Sequence, residues 1–145
     1  NLDYAAKMIE ETKKIGLEVH CFFIIGMPGE TYENMEDTFN FIMKTEPDSI
    51  SIAIAVPLPG TELYDICKRN GYLSDGFTFD KAFEKLGNIN TDEFNGKDLE
   101  EILITKNREL NKYLLSKSLK AQEKYESFIT KTGKVIEKEK LFDKI

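Results

Sequence analysis

Along the first fifteen residues Ala5, Met8, Ile9, Thr12 and Ile15 recur at helical spacing and mark one face of a helix. Asp3 is placed to cap its start, and Gly16 can take the left-handed conformation that ends it. The pattern then changes. Leu17-Glu18-Val19-His20-Cys21-Phe22-Phe23-Ile24-Ile25 is an almost continuous apolar run, as expected of a strand covered on both faces in a parallel sheet. Gly26-Met27-Pro28-Gly29 interrupts it. Thr31 then opens a helix with Met35, Phe39, Ile42 and Met43 on one face, and Pro47 lies just beyond its end.

The unit repeats. From Asp48 to Val56 the chain alternates, with Ile50, Ile52, Ile54 and Val56 on one side and Ser49, Ser51, Ala53 and Ala55 on the other. Pro57-Leu58-Pro59-Gly60 ends the strand. Thr61 caps a helix that carries Leu63, Tyr64, Ile66 and Cys67 and closes at Asn70-Gly71. This βα alternation predicts parallel strands with right-handed crossovers and helices outside. The isoleucine side of the second strand suits packing under helices. The Ser/Ala side leaves space in front of it, which favours a barrel lumen over a flat sheet buried on both faces. Residues 72–96 are turn-rich, with Phe77, Phe79 and Phe83 expected to tuck that segment onto the body. From Lys97 the pattern is helical again through Leu99, Ile102, Leu103, Leu110, Tyr113 and Leu114. Tyr125, Phe128, Ile129, Val135, Ile136, Leu141 and Phe142 continue it amid many lysines.

Composition changes this picture only at the margins. With 145 residues and 41% hydrophobic content, the chain can fold around a core. Its net charge of −6 is uneven: residues 1–96 hold 8 basic and 17 acidic side chains, residues 97–145 hold 12 and 9. An acidic body argues against a broad nucleic-acid footprint, and the lysines of the last third read as a solvated helix face. Two distant cysteines without a signal peptide point to a reducing, cytoplasmic setting. No apolar run approaches the roughly 20 residues that span a bilayer, so no membrane partner is expected. The chain opens directly on a helical pattern, as expected of a piece of a longer protein.

In βα proteins ligands bind beyond the carboxyl ends of the strands. Here those ends are Gly26-Met27-Pro28-Gly29-Glu30-Thr31 and Pro57-Leu58-Pro59-Gly60-Thr61. Each puts glycine and proline before a Thr-capped helix: glycine admits close backbone approach, and proline stiffens the loop. Each loop alone is also just a good turn with a good cap; two in succession, opening on one face, suggest a shared site. Glu30 can face the helix dipole or accept bonds from loop amides. His20, the sole histidine, reads as a satisfied core residue, and Cys21 and Cys67 as small buried hydrophobes. There is no metal motif, phosphate loop with lysine or nucleophile elbow.

The run His20-Cys21-Phe22-Phe23-Ile24-Ile25-Gly26-Met27-Pro28-Gly29-Glu30-Thr31 resembles the fifth-strand segment of radical S-adenosylmethionine (radical SAM) enzymes. The nearest subgroup is the Fe–S oxidoreductases that include cobalamin-dependent methyltransferases, MiaB-like methylthiotransferases and coproporphyrinogen-oxidase-like enzymes. Asp48 to Tyr64, with Pro57-Leu58-Pro59-Gly60-Thr61-Glu62-Leu63-Tyr64 at its end, resembles the sixth strand and PxPGTxLY turn of the same group, at matching distance. Ile89-Asn90-Thr91-Asp92-Glu93-Phe94 and the following helix resemble the segment after the barrel. The likeness covers residues 1–115.

The resemblance implies an α/β fold: the C-terminal portion of a parallel partial TIM-type (β/α)6 barrel (residues 1–96), followed by a helical extension (residues 97–145). It implies a 4Fe–4S cluster held by a CxxxCxxC loop, which reduces SAM to a 5′-deoxyadenosyl radical; cobalamin is a further cofactor within the subgroup. Carried over by position, adenine contacts fall to Ile24 and Gly26 and to Ala55, Val56 and Pro57. Pro28, Gly29, Glu30 and Gly60 shape the cofactor-binding loops around them. The sequence departs from the family where it matters: CxxxCxxC is absent, the earlier strands are absent, and Phe22 stands where many members have glycine. The chain alone is therefore expected to be inactive and to need the missing N-terminal barrel half. Its substrate, a small molecule or an RNA base, is undetermined, and self-association over the uncovered strand is expected. Two rival readings remain: a non-catalytic half-barrel that binds a nucleotide or a protein, and a phosphate-binding TIM-barrel fragment.

Overall fold

Asn1, not Asp3, caps the first helix: its side-chain oxygen accepts from the Asp3 amide at 3.0 Å, and Asp3 sits within the first turn. The computed structural model describes residues 1–117. In chain order these form α1 (Leu2–Lys14), β1 (His20–Ile25), α2 (Tyr32–Thr45), β2 (Ser49–Ile54), α3 (Glu62–Asn70), a 3-10 turn (Phe79–Lys81) and α4 (Gly96–Lys117). The apolar positions from Tyr125 to Phe142 lie outside the described residues.

Among the described residues the sheet has two strands, β1 beside β2. The carbonyl of Val19 accepts from Asp48 N at 2.9 Å, and six residues on that of Ile25 accepts from Ala55 N at 2.9 Å. Advancing along one strand thus advances along the other, which makes the pair parallel. Residue i of β1 stands opposite residue i+29 of β2. The alternation of β2 is realised as far as Ile54, with Ile50, Ile52 and Ile54 buried and Ser49, Ser51 and Ala53 half-buried; the strand ends there, and beyond it Ala55 is buried and Val56 half-buried, the reverse of the expected pattern. β1 alternates as well, contrary to the doubly covered strand expected from its apolar run; its burial falls on alternate residues and Phe22 is 80% exposed. The strand also starts later than Leu17, because the Val19 amide goes to the Asp48 carboxylate at 2.8 Å and not to a strand neighbour.

The chain divides into two compact units. The first holds residues 1–21, 41–50 and, within the described part, those from 108 on. Its core includes Ile9, Ile42, Ile50, Leu110 and Leu114. Glu46 is the one non-glycine residue with positive φ, at 44°, among the described residues. Its carbonyl accepts from Lys13 Nζ and its carboxylate from the Tyr113 hydroxyl at 2.8 Å, so both ends of this strained residue are tied down before Pro47 starts the approach to β2. That carboxylate raises the Tyr113 phenol above its usual pKa. His20 is exposed, against the expectation of a core histidine; its Nδ1 lies 2.7 Å from Ser49 Oγ. The expectation failed because the chain alternates at this point and puts residue 20 on the face opposite the packed one.

The second unit holds residues 22–40 and 51–107. Ile25, Met35, Phe39, Ile54, Cys67, Ile89, Phe94 and Leu99 fill its core. Met43, placed by periodicity on the buried face of α2, is exposed. The turn-rich segment does fold back, only in part on the residues expected: Phe77 is half-buried, Phe79 and Phe83 are exposed, and Ile89 and Phe94 are buried. An antiparallel bridge from Leu73 to Ile89 holds it, and the Ile54 amide, on the edge of β2 away from β1, donates to the Glu84 carbonyl at 2.7 Å. No helix among the described residues is long and apolar enough to cross a membrane.

Candidate functional site

The carboxyl ends of β1 and β2 fall side by side in the second unit, each followed by a proline–glycine turn. In Met27-Pro28-Gly29-Glu30 the Glu30 amide donates to the Met27 carbonyl at 3.0 Å, and Gly29 has φ 89°. In Leu58-Pro59-Gly60-Thr61 the Thr61 amide donates to the Leu58 carbonyl at 3.1 Å, and Gly60 has φ 85°. Proline at the second position and left-handed glycine at the third define a type II turn, so the two loops are the same device used twice.

Both turns deliver the chain into a capped helix. Thr31 Oγ1 accepts from Asn34 N at 3.2 Å while Asn34 Oδ1 accepts from Thr31 N at 3.1 Å, a reciprocal cap on α2. Thr61 Oγ1 accepts from Tyr64 N at 3.3 Å and donates to the Leu58 carbonyl at 2.7 Å, so one hydroxyl caps α3 and fastens the turn. Glu30 reaches back across the first loop. Its Oε2 accepts from Gly26 N at 2.6 Å and from Met27 N at 3.1 Å. The carboxylate is thus a loop fastener, the second of the two roles its position allowed.

This bonding decides what the loop can offer a ligand. The amides of Gly26, Met27 and Glu30 are bonded within the loop, two of them to a carboxylate, and that of Thr31 is bonded to the Asn34 side chain of α2. A phosphate would have to displace Glu30 to reach the amides of Gly26 and Met27. What stays available is apolar surface. Ile24 is 59% exposed and Met27 43%. Gly26, Ala55 and Pro57 are buried, Val56 and Pro28 half-buried, and Gly29 and Gly60 exposed. All nine residues singled out by sequence lie in the second unit, at or just beyond the strand ends.

Sequence reasoning missed the wall behind this loop. Leu99 of α4 is fully buried, and a Cβ on Gly26 would lie 2.6 Å from its Cδ1. One residue earlier, Asp98 Oδ2 accepts from the Tyr32 hydroxyl at 3.0 Å and from Asn95 Nδ2 at 2.6 Å. Burial first, then the Asp98 carboxylate, pushes the Tyr32 phenol above its usual pKa. The apolar stripe through Leu99 was visible in the sequence; nothing there said which loop it would meet.

No protein-family model matches the chain. It is 30% identical over 118 residues to a cytidylyl-2-hydroxyethylphosphonate methyltransferase of Streptomyces wedmorensis, covering 77% of this chain and 22% of that protein. It is 40% identical over 65 residues to an uncharacterized methyltransferase of Pyrococcus horikoshii, 45% of this chain and 14% of that protein. A biotin synthase of Methanococcus maripaludis is 41% identical over 68 residues, 46% of this chain and 20% of that protein. The chain is similar to methyltransferases and to biotin synthases. It spans between 14% and 22% of the length of these three relatives.

The role of Glu30 is open to a direct check. Glu30→Ala leaves the buried Gly26 amide without its acceptor and should destabilise the chain by about 2 kcal/mol. Glu30→Gln, which keeps an acceptor oxygen, should cost about half as much. Thermal unfolding of the two variants measures both. Equal, near-zero effects would remove Glu30 from the loop's support.

Proposed function

We propose that the chain is the closing part of a radical SAM barrel and supplies the wall against which the adenine of SAM packs. The observation that carries this reading is the repeated unit of parallel strand, type II Pro–Gly turn and Thr-capped helix, with both turns at the carboxyl edge of one sheet. The motifs at those two turns are the ones that resemble the radical SAM fifth and sixth strands. Similarity to methyltransferases and biotin synthases fits a segment devoted to a shared cofactor.

The residues present fit an adenine but not a cluster. The open face offers Ile24 as apolar surface, suited to packing against a planar base. Cluster iron needs thiolates. Cys21 is half-buried and Cys67 fully buried, burial raises the pKa of both, and no group of three His, Cys, Asp or Glu is placed to hold a metal among the described residues. The radical chemistry of the family would be run by groups outside this chain, whose own part is to seat and orient the base. A phosphate-binding barrel is disfavoured by the loop amides that Glu30 occupies. The same family reading extends to a cytoplasmic location and to cobalamin as a further cofactor of the whole protein.

On this reading β1 is the strand on which the rest of the barrel builds. Phe22 at 80% exposure and Ile24 lie on its open face in one unit, and Tyr4 and Ile15 of α1 are exposed in the other. In the whole protein the preceding strands cover such surface; alone, the chain self-associates over it.

The test is a titration of the isotopically labelled chain with adenosine, SAM and inorganic phosphate. Adenosine and SAM should shift the amides of Ile24, Gly26, Met27, Ala55 and Val56, and phosphate should not. Shifts with phosphate alone would sink the adenine reading in favour of its rival. Treatment with iron and sulfide should give no cluster absorbance.

A further inference from the structure

We infer that the first turn of α4 belongs to the ligand site, with Leu99 as a positioning residue for the Gly26 loop and the Tyr32–Asp98 bond as the latch that holds it there. The inference rests on the adenine reading of the loop for its ligand, but its geometry stands by itself. Gly26 is the hinge between β1 and the loop: it is buried, has φ 83°, and its amide is committed to Glu30. The Leu99 methyl fills the place a Cβ would take, so the loop cannot settle back toward α4 without moving the helix. The loop's depth is therefore set from behind, by a residue some seventy positions later in the chain.

Leu99 cannot hold that position on its own, and adjacent residues show what does. Asn95 Oδ1 accepts from Asp98 N at 2.9 Å and caps α4. Asn90 Oδ1 accepts from Gly96 N at 2.7 Å, and Glu100 Oε1 accepts from Gly87 N at 2.8 Å. These bonds tie the turn to residues 87–90. Tyr32 ties it to α2, just past the loop itself, through the 3.0 Å bond to Asp98, and about two turns further along α4 Lys106 bonds Glu36 of α2 at 2.8 Å and lies over the Phe39 ring. Asp98 and Leu99 thus act as neighbours with opposite duties: one faces outward to the latch, the other lies under Gly26. Asp98 and Leu99, in the stretch the sequence presents as an extension after the barrel, supply the back of the site.

Tyr32→Phe removes one hydroxyl from a 40% exposed ring and leaves the core untouched. In the full chain it should raise the dissociation constant for SAM about fivefold, the scale of one ordinary net hydrogen bond, with the unfolding transition little moved. Amide hydrogen exchange should quicken at Gly26 and Met27 but not at Ile54. Leu99→Val, which shortens the methyl contact without removing the side chain, should act in the same direction at the same two amides. An unchanged dissociation constant and unchanged exchange at Gly26 in Tyr32→Phe would overturn the inference. If the unaltered chain ignores SAM, the adenine reading falls, and exchange at Gly26 alone decides: faster exchange upholds the coupling of α4 to the loop, and no change overturns it.

Discussion

Gly26→Ala should lower the unfolding temperature by on the order of 10 °C, where the same change at Gly29 or Gly60 lowers it by only a few degrees. All three glycines have φ between 83° and 89°, so an L side chain is strained at each, by about 1–2 kcal/mol. The surroundings separate them. A Cβ on Gly29 or Gly60 meets nothing within 4 Å, but on Gly26 it falls 2.6 Å from Leu99 Cδ1 and 3.5 Å from Ile54 Cγ2. Overpacking of that kind adds about 1–3 kcal/mol, giving roughly 4 kcal/mol in all. The cause can be isolated. Leu99→Ala alone costs about 2–5 kcal/mol through the cavity it leaves. Combined with Gly26→Ala the two costs should fall short of their sum by about 1–2 kcal/mol, because the second change removes the methyl the first one strikes. Strict additivity would mean that the strain lies in the backbone alone and that Leu99 does not set the loop.

Much of this arrangement could be read before any coordinates, and the reason is periodicity. β2 announces itself because isoleucine and small residues alternate from Ile50 to Ala55, and α3 because Thr61 and Gly71 bracket an amphipathic stretch that becomes Glu62–Asn70. The Pro–Gly pairs fixed both turns, since proline and left-handed glycine admit few alternatives. Where periodicity stops, legibility stops. In residues 72–96 hydrophobicity alone pointed to Phe77, Phe79 and Phe83, yet only Phe77 is half-buried, the other two are exposed, and Ile89 and Phe94 carry the packing. That choice is made by contacts between distant backbone segments, which no local pattern encodes. For the same reason the apolar run of β1 suggested two covered faces when its outer face carries exposed Phe22 and Ile24. The candidate site divides likewise: its loops were legible, its back wall was not. Leu99 looked like any other position of a helical stripe, and only the fold sets it behind Gly26.

Gly87→Ala should be the most damaging small substitution in residues 72–96. Gly87 needs no unusual φ; it needs to have no side chain. A Cβ there would lie 2.1 Å from the carbonyl oxygen of Gly96, with the carbonyl carbon and Cα at 2.2 and 2.3 Å. A rotamer change cannot relieve this, because every atom it meets is backbone. The reverse substitution meets the same wall, since a Cβ on Gly96 would lie 2.5 Å from the Gly87 carbonyl oxygen. The two segments must therefore part. Parting them strains the bonds from Gly87 N to Glu100 and from Gly96 N to Asn90, each worth about 1 kcal/mol or more. It also loosens buried Asn88, whose Nδ2 donates to the carbonyls of Phe83 at 2.9 Å and Leu86 at 2.7 Å. With overpacking added, the expected cost is about 4 kcal/mol, against about 1 kcal/mol for Gly76→Ala, whose Cβ would meet nothing within 4 Å. Chemical denaturation of Gly87→Ala, Gly96→Ala and Gly76→Ala gives the comparison. The consequence reaches the ligand loop: once the first turn of α4 withdraws from residues 87–90, Leu99 leaves Gly26, and hydrogen exchange at the Gly26 amide should quicken in Gly87→Ala and Gly96→Ala alike. Equal stability in all three variants would show that the close passage of Gly87 over Gly96 does not hold α4 in place, and with it would go the account of how the back of the site is built.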